Sequence, residues 1–128
     1  MERGDESGMG AAARLLREAG ALVAEAWCSG SEARDSAGSE VTPWDERAAS
    51  WSLLGAIVAV LEREASRGGE LPMPELATAL YALANLVDSD SLVEWNDRPR
   101  QTQGNVLAVL DRAAAECEQT DTFVVPLN

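Results

Sequence analysis

The sequence predicts an all-α domain, a compact bundle of four main helices plus a short helix around a central apolar helix at about 43–66. Three observations predict it. Apolar residues recur at helical spacing in three separate stretches. A fourth stretch, Ala48 to Leu61, has only Ser50 and Ser52 as polar side chains, and a helix apolar on every face must be covered on every face. Capping residues, Pro and Gly stand at the ends of these stretches, where helices start and stop. A chain of 128 residues is one domain by size, and 46% hydrophobic residues suffice for a core without disulfides or metals.

Met1 to Gly8 is polar and is expected to be frayed. From about Gly10 to Trp27 the apolar positions Leu15, Leu16, Ala19, Leu22, Val23, Ala26 and Trp27 form one face, with Arg14, Arg17, Glu18 and Glu25 opposite. Residues 28–41 are rich in Ser, Gly and charge and have no period; they read as a surface loop, long enough to serve as a lid. Thr42-Pro43-Trp44-Asp45 has the form of a helix start, with Thr42 as cap and Pro43 at the first helical position. The central helix is then expected from Pro43 to about Ser66, closed by Arg67-Gly68-Gly69. Gly55 in its middle costs about 1 kcal/mol relative to Ala, which close approach by another helix would explain.

Pro74 opens the next helix, whose stripe is Leu76, Ala79, Leu80, Leu83, Leu86 and Val87. Asp88-Ser89-Asp90-Ser91 offers caps for a short turn, Leu92 to Trp95. Thr102 caps the last helix, which runs to about Glu118 on Val106, Leu107, Leu110, Ala113, Ala114 and Cys117. Residues 119–128 read as an extended tail whose TFVVPL strip docks on the bundle. The whole is one domain, with no internal repeat.

The net charge is −12 and the pI is near 4.2. Such a surface repels nucleic-acid backbones and anionic lipid, so neither nucleic acid nor membrane is an expected partner. The absence of His removes the commonest general base and metal ligand. Cys28 and Cys117 are too few for a structural zinc site. Asp88, Asp90 and Glu94 are too closely spaced for a calcium loop of about 12 residues, and capping accounts for them. No metal and no cofactor is expected. The start is charged, without the apolar core of a signal peptide, and no apolar run reaches the ~20 residues of a membrane span, so the expectation is a cytoplasmic protein with reduced thiols.

The densest chemistry lies at Glu94-Trp95-Asn96-Asp97-Arg98-Pro99-Arg100. An indole wall, an amide, carboxylates and guanidinium groups are the parts of a polar-ligand site. With no His, an acid or base must be a carboxylate whose pKa burial has raised, and Glu94 and Asp97, flanking Trp95, are the candidates. Asn and Asp before Pro also make ordinary turns by bonding their own backbone. Trp51 and Ser52 are the second candidate group, an indole wall and a hydroxyl. Ser52 lacks a visible base and is expected to bond the carbonyl one turn earlier.

Trp51-Ser52-Leu53-Leu54-Gly55-Ala56, then Trp95-Asn96-Asp97 with Pro99, then Thr102 ahead of Val106-Leu107 and Leu110, resemble a small uncharacterised family of actinobacteria and their phages, a domain of unknown function. The likeness covers residues 14–116. That family usually has Cys at the position of Ser52, Gly-Arg at Arg100-Gln101 and an acidic residue near Asn105. The resemblance implies a single helical domain and no activity.

The sequence thus points to a small molecule or peptide held in a Trp-lined pocket by Trp51, Ser52, Trp95, Asn96, Arg98 and Arg100, with Glu94 and Asp97 available for acid–base chemistry of the isomerase or cyclase type. The alternative is a non-catalytic acidic interaction module or inhibitor. A homodimer through an apolar helix face is a third partner class.

Overall fold

The computed structural model describes residues 8–68 and 73–122. The elements run α1 (Gly8–Glu25), β1 (Ala33–Arg34), β2 (Ser50–Trp51), α2 (Leu53–Ser66), α3 (Met73–Ala84), α4 (Leu92–Asn96) and α5 (Gln103–Thr122). This is the expected helical bundle, with one two-stranded sheet added among the described residues. No helix among them is long and apolar enough to cross a membrane. Of the frayed start expected at Met1–Gly8, residues 1–7 lie outside the described residues and Gly8 instead opens α1; the link 69–72 and the tail from Phe123 also lie outside the described residues, and residues 119–122 continue α5.

α1 touches all three other long helices, α2, α3 and α5, so α1, and not the apolar stretch expected at about 43–66, is the central helix of the bundle. Its face of Ala12, Leu15, Leu16, Ala19, Leu22 and Val23 is buried, and Arg14 and Arg17 stay exposed. α5 lies antiparallel to it. Arg17 reaches Asp111 and Glu118, while at the other end the Gln103 amide donates to the carbonyls of Val23 and Ala24 at 2.7 and 3.3 Å. Those carbonyls belong to the last turn of α1, where no intrahelical donor remains, so Gln103 serves as a cap from another helix.

The apolar stretch is sheathed as expected: Trp51, Leu53, Ala56, Ile57, Ala59 and Val60 are all buried. Its helix, however, begins at Leu53 and not at Pro43. Residues 50–52 are drawn instead into strand pairing. Trp51 N–H donates to the Ala26 carbonyl at 3.1 Å, Cys28 N–H to the Trp51 carbonyl at 3.2 Å and Ser52 N–H to the Glu32 carbonyl at 3.0 Å. Ala33 and Arg34 pair antiparallel with Trp51 and Ser50. Residues 42–48 form turns, with Asp45 N–H on the Thr42 carbonyl and Ala48 N–H on that of Asp45. Thr42 therefore caps no helix. Ser52 does, its hydroxyl accepting from Gly55 N–H at 3.0 Å; the expected bond back to a carbonyl one turn earlier is replaced by this one.

The loop 28–41 is not a free lid. Asp35 Oδ1 accepts from the N–H groups of Ala37 and Ser39, and the Arg34 guanidinium donates to the carbonyls of Ser29 and Gly38. The loop also explains Gly55. A Cβ there would overlap the Glu32 carbonyl oxygen, so the close neighbour is loop backbone and not another helix. Thr102 caps α5 as the sequence predicts, accepting from Asn105 N–H; of the candidates at 88–91 it is Ser91 that caps α4, accepting from Glu94 N–H, while Asp88 pairs with Arg98 instead of capping.

Candidate functional site

Asn96 is the centre of the polar architecture. It is buried, and its side chain forms a hydrogen bond in every direction an amide allows. Its oxygen accepts from the Trp27 indole at 2.8 Å and from Leu53 N–H at 3.0 Å. Its nitrogen donates to the Cys28 carbonyl at 3.2 Å and to Asp97 Oδ1 at 2.9 Å. The side chain thus joins the end of α1, the start of α2 and α4. As a ligand-binding group it has nothing left to offer.

Its neighbours in sequence are spent in the same way. Trp95 is buried in the core, and its carbonyl accepts from the Gln101 amide at 2.7 Å. Asp97 is exposed, with Oδ1 accepting from Gly30 N–H at 2.9 Å as well as from Asn96. Arg98 closes its own loop, meeting the Asp88 carboxylate at 2.8 Å and the Asp88 carbonyl at 3.0 Å. Glu94 and Arg100 are exposed. Glu94 lies in the first turn of α4, where a negative charge suits the helix end. The burial that the acid–base reading of Glu94 and Asp97 required is absent.

The structure does gather some of the predicted residues. Ser52, Asn96 and Asp97 line one cleft with Gly30, Glu32 and Val93, of about 170 Å³. That is well below the roughly 300 Å³ at which small-molecule sites begin. Trp51 and Trp95, expected to wall one pocket, are used differently: Trp51 lines a groove beside the 42–48 turns, and Trp95 packs in the core. Cys28 and Cys117 are free thiols, both buried, and burial pushes both above the ordinary cysteine value.

The larger opening lies between the 42–48 turns and α2. It measures about 550 Å³, with Pro43, Ala48, Trp51 and Ala59 among its lining and Glu46, Glu62 and Arg63 at its edge. Trp44 also lines it, with 55% of its surface exposed. The turn that presents Trp44 is held firmly. The Trp51 indole donates to the Pro43 carbonyl at 3.1 Å, and Asp45 takes both the backbone N–H and the guanidinium of Arg47. The sequence reading missed Trp44 because Pro43 ahead of it looked like the opening of a helix. The signal that was present is Asp45 two residues before Arg47, a spacing that closes a turn through the side chain.

A family of unknown function (DUF6197) matches residues 9–116. The chain belongs to that family. No curated protein and no solved structure matches it.

Proposed function

We propose that this chain is a binding domain that takes a small molecule or a peptide side chain into the groove between the 42–48 turns and α2, without performing chemistry on it. One observation carries the reading: a tryptophan more than half exposed, fixed by a hydrogen-bonded turn beside an open groove of ligand size. A large aromatic held rigid and wet is costly unless something covers it, and such residues anchor binding surfaces. Trp51 stays in this reading as part of the groove wall; Ser52, Trp95 and Asn96 become its supporting structure.

The rim favours a cationic occupant. Arg47 is paired with Asp45, which leaves two carboxylates, Glu46 and Glu62, and one guanidinium, Arg63, around the groove of a chain of net charge −12. An organic cation or an Arg or Lys side chain would meet both the carboxylates and the indole face of Trp44. The resemblance to an actinobacterial and phage family, together with two buried free thiols suited to a reducing compartment, makes the cytoplasm of such a host the proposed setting.

Tryptamine, an aromatic amine, is a suitable probe. Titrated in the millimolar range into ¹⁵N-labelled protein, it should shift the indole N–H signals of Trp44 and Trp51. The Trp27 indole signal, tied to Asn96, should stay in place. Trp44→Ala should abolish the shift at Trp51. Shifts at Trp27 without Trp44, or none at all, would sink the reading.

A further inference from the structure

Among the long helices α3 is unlike the rest. Its solvent side is made of Met73, Pro74, Ala77, Tyr81 and Ala84, with Tyr81 71% and Met73 55% exposed. Its one charged residue, Glu75, is half-buried. The exposed sides of the others carry charge: Arg14, Arg17 and Glu25 on α1, Glu62 and Arg63 on α2, Asp111, Arg112 and Glu118 on α5. A helix apolar on both sides is ordinarily covered on both sides. The inner side of α3, through Ala79 and Leu83, already rests on α1 and α5.

We infer that the outer side of α3 is the contact between two copies of this chain, paired about a two-fold axis. Charge selects this occupant. Two copies of net charge −12 repel each other over most of their surfaces. They can meet where neither presents a carboxylate, and among the long helices that place is the Met73–Ala84 face. In a two-fold contact a surface faces its own image, so an uncharged face opposes an uncharged face. A basic partner, by contrast, would gain nothing from docking on the least acidic helix. The spacing of Met73, Ala77 and Ala84, with Leu80 and Tyr81 between, is that of a helix–helix seam, and the two alanines let the backbones approach. A helix of this length spans about 18 Å. Alone it buries less than the roughly 800 Å² per partner of a stable interface, so the dimer is weak and concentration-dependent.

Sedimentation equilibrium over protein and salt concentration tests this. The mass should rise toward twice the monomer with concentration, and salt should strengthen association by screening the repulsion of the two acidic bodies. Tyr81→Glu, which sets carboxylates face to face, should give a monomer at concentrations where the wild type is dimeric. Ala108→Glu adds the same charge on the exposed side of α5 and should leave the dimer intact. Ala77→Cys should form a reducible covalent dimer on oxidation, while the wild type, with both thiols buried, and an Ala108→Cys control should not. The cysteine result decides the matter if Tyr81→Glu loses its helical circular dichroism. A monomeric mass up to ~1 mM protein, the weak limit of specific association, overturns the inference. So does equal dissociation by Tyr81→Glu and Ala108→Glu, or equal cross-linking at positions 77 and 108.

Discussion

The indole of Trp27 donates to the side-chain oxygen of Asn96 at 2.8 Å, joining residues that stand 69 positions apart. The same oxygen holds Leu53 N–H, the first amide of α2, so one side chain closes the end of α1 and the start of α2 together. Replacing Asn96 by Ala strips partners from the Trp27 N–H, the Leu53 N–H and the Cys28 carbonyl. Each polar group left unpaired in a buried place costs about 1–3 kcal/mol. Asn96→Ala should therefore lose about 3–5 kcal/mol of unfolding free energy in urea, a large share of the stability of a small domain. Asn96→Asp keeps the two acceptor roles but sets a buried carboxylate oxygen against Asp97 Oδ1 and the Cys28 carbonyl, so at neutral pH it should destabilise at least as much as Asn96→Ala. A loss under about 1 kcal/mol for Asn96→Ala would show that the clamp is not in place.

Gly55→Ala should be destabilising despite its favourable local effect. Ala is better than Gly in a helix interior by about 1 kcal/mol, but Gly55 stands in the first turn of α2, three residues after the Ser52 cap, where that gain is smaller. Against this, the new Cβ would overlap the Glu32 oxygen and lie 2.7 Å from the Glu32 carbonyl carbon. Backbone on the far side cannot swing away as a side-chain end can, so the loop must move and the bond from Ser52 N–H to Glu32 must stretch. Amide exchange should speed up at Ser52 together with a lower urea midpoint. An unchanged exchange rate with a higher midpoint would mean that the helix and the loop are not in contact there.

Helices α1, α3 and α5 were legible because each shows its buried stripe within its own few turns. The start of α2 was not. Residues 43–52 carry good helix signals, yet residues 42–48 close local turns and the backbone groups of residues 49–52 pair with Ala26, Glu32 and Arg34, partners that no local window contains. Non-local pairing overrode propensity, as it commonly does in strands. The Trp95 loop failed for a related reason. An amide, a carboxylate and a guanidinium look alike whether they face a ligand or the chain. Here the partners of Asn96 and Asp97 include the backbone of Cys28, Gly30 and Leu53, which no residue type announces.

The dependence of stability on pH should be a broad plateau with two edges. Hydrogen bonds from Arg17, Arg47 and Arg98 hold Glu118, Asp45 and Asp88 below their ordinary values of 4.5, 3.8 and 3.8. A carboxyl depressed in the folded state contributes stability that is present above its unfolded value and lost as pH falls through the folded one. The acid edge therefore begins near pH 4.5 and runs downward, and salt should soften it because these pairs are exposed. At the other end burial raises Cys28 and Cys117 above 9.0. A group raised in the folded state contributes stability that is present below its unfolded value and lost as pH rises through the folded one, so decline begins near pH 9. Urea midpoints measured from pH 3 to pH 10 should trace both edges, and Arg17→Gln should flatten the acid one. Cys117→Ala should flatten the alkaline one at a lower overall stability. A step between about pH 5 and pH 8 would need a group that titrates there, and a chain without histidine carries none among its side chains at their ordinary values.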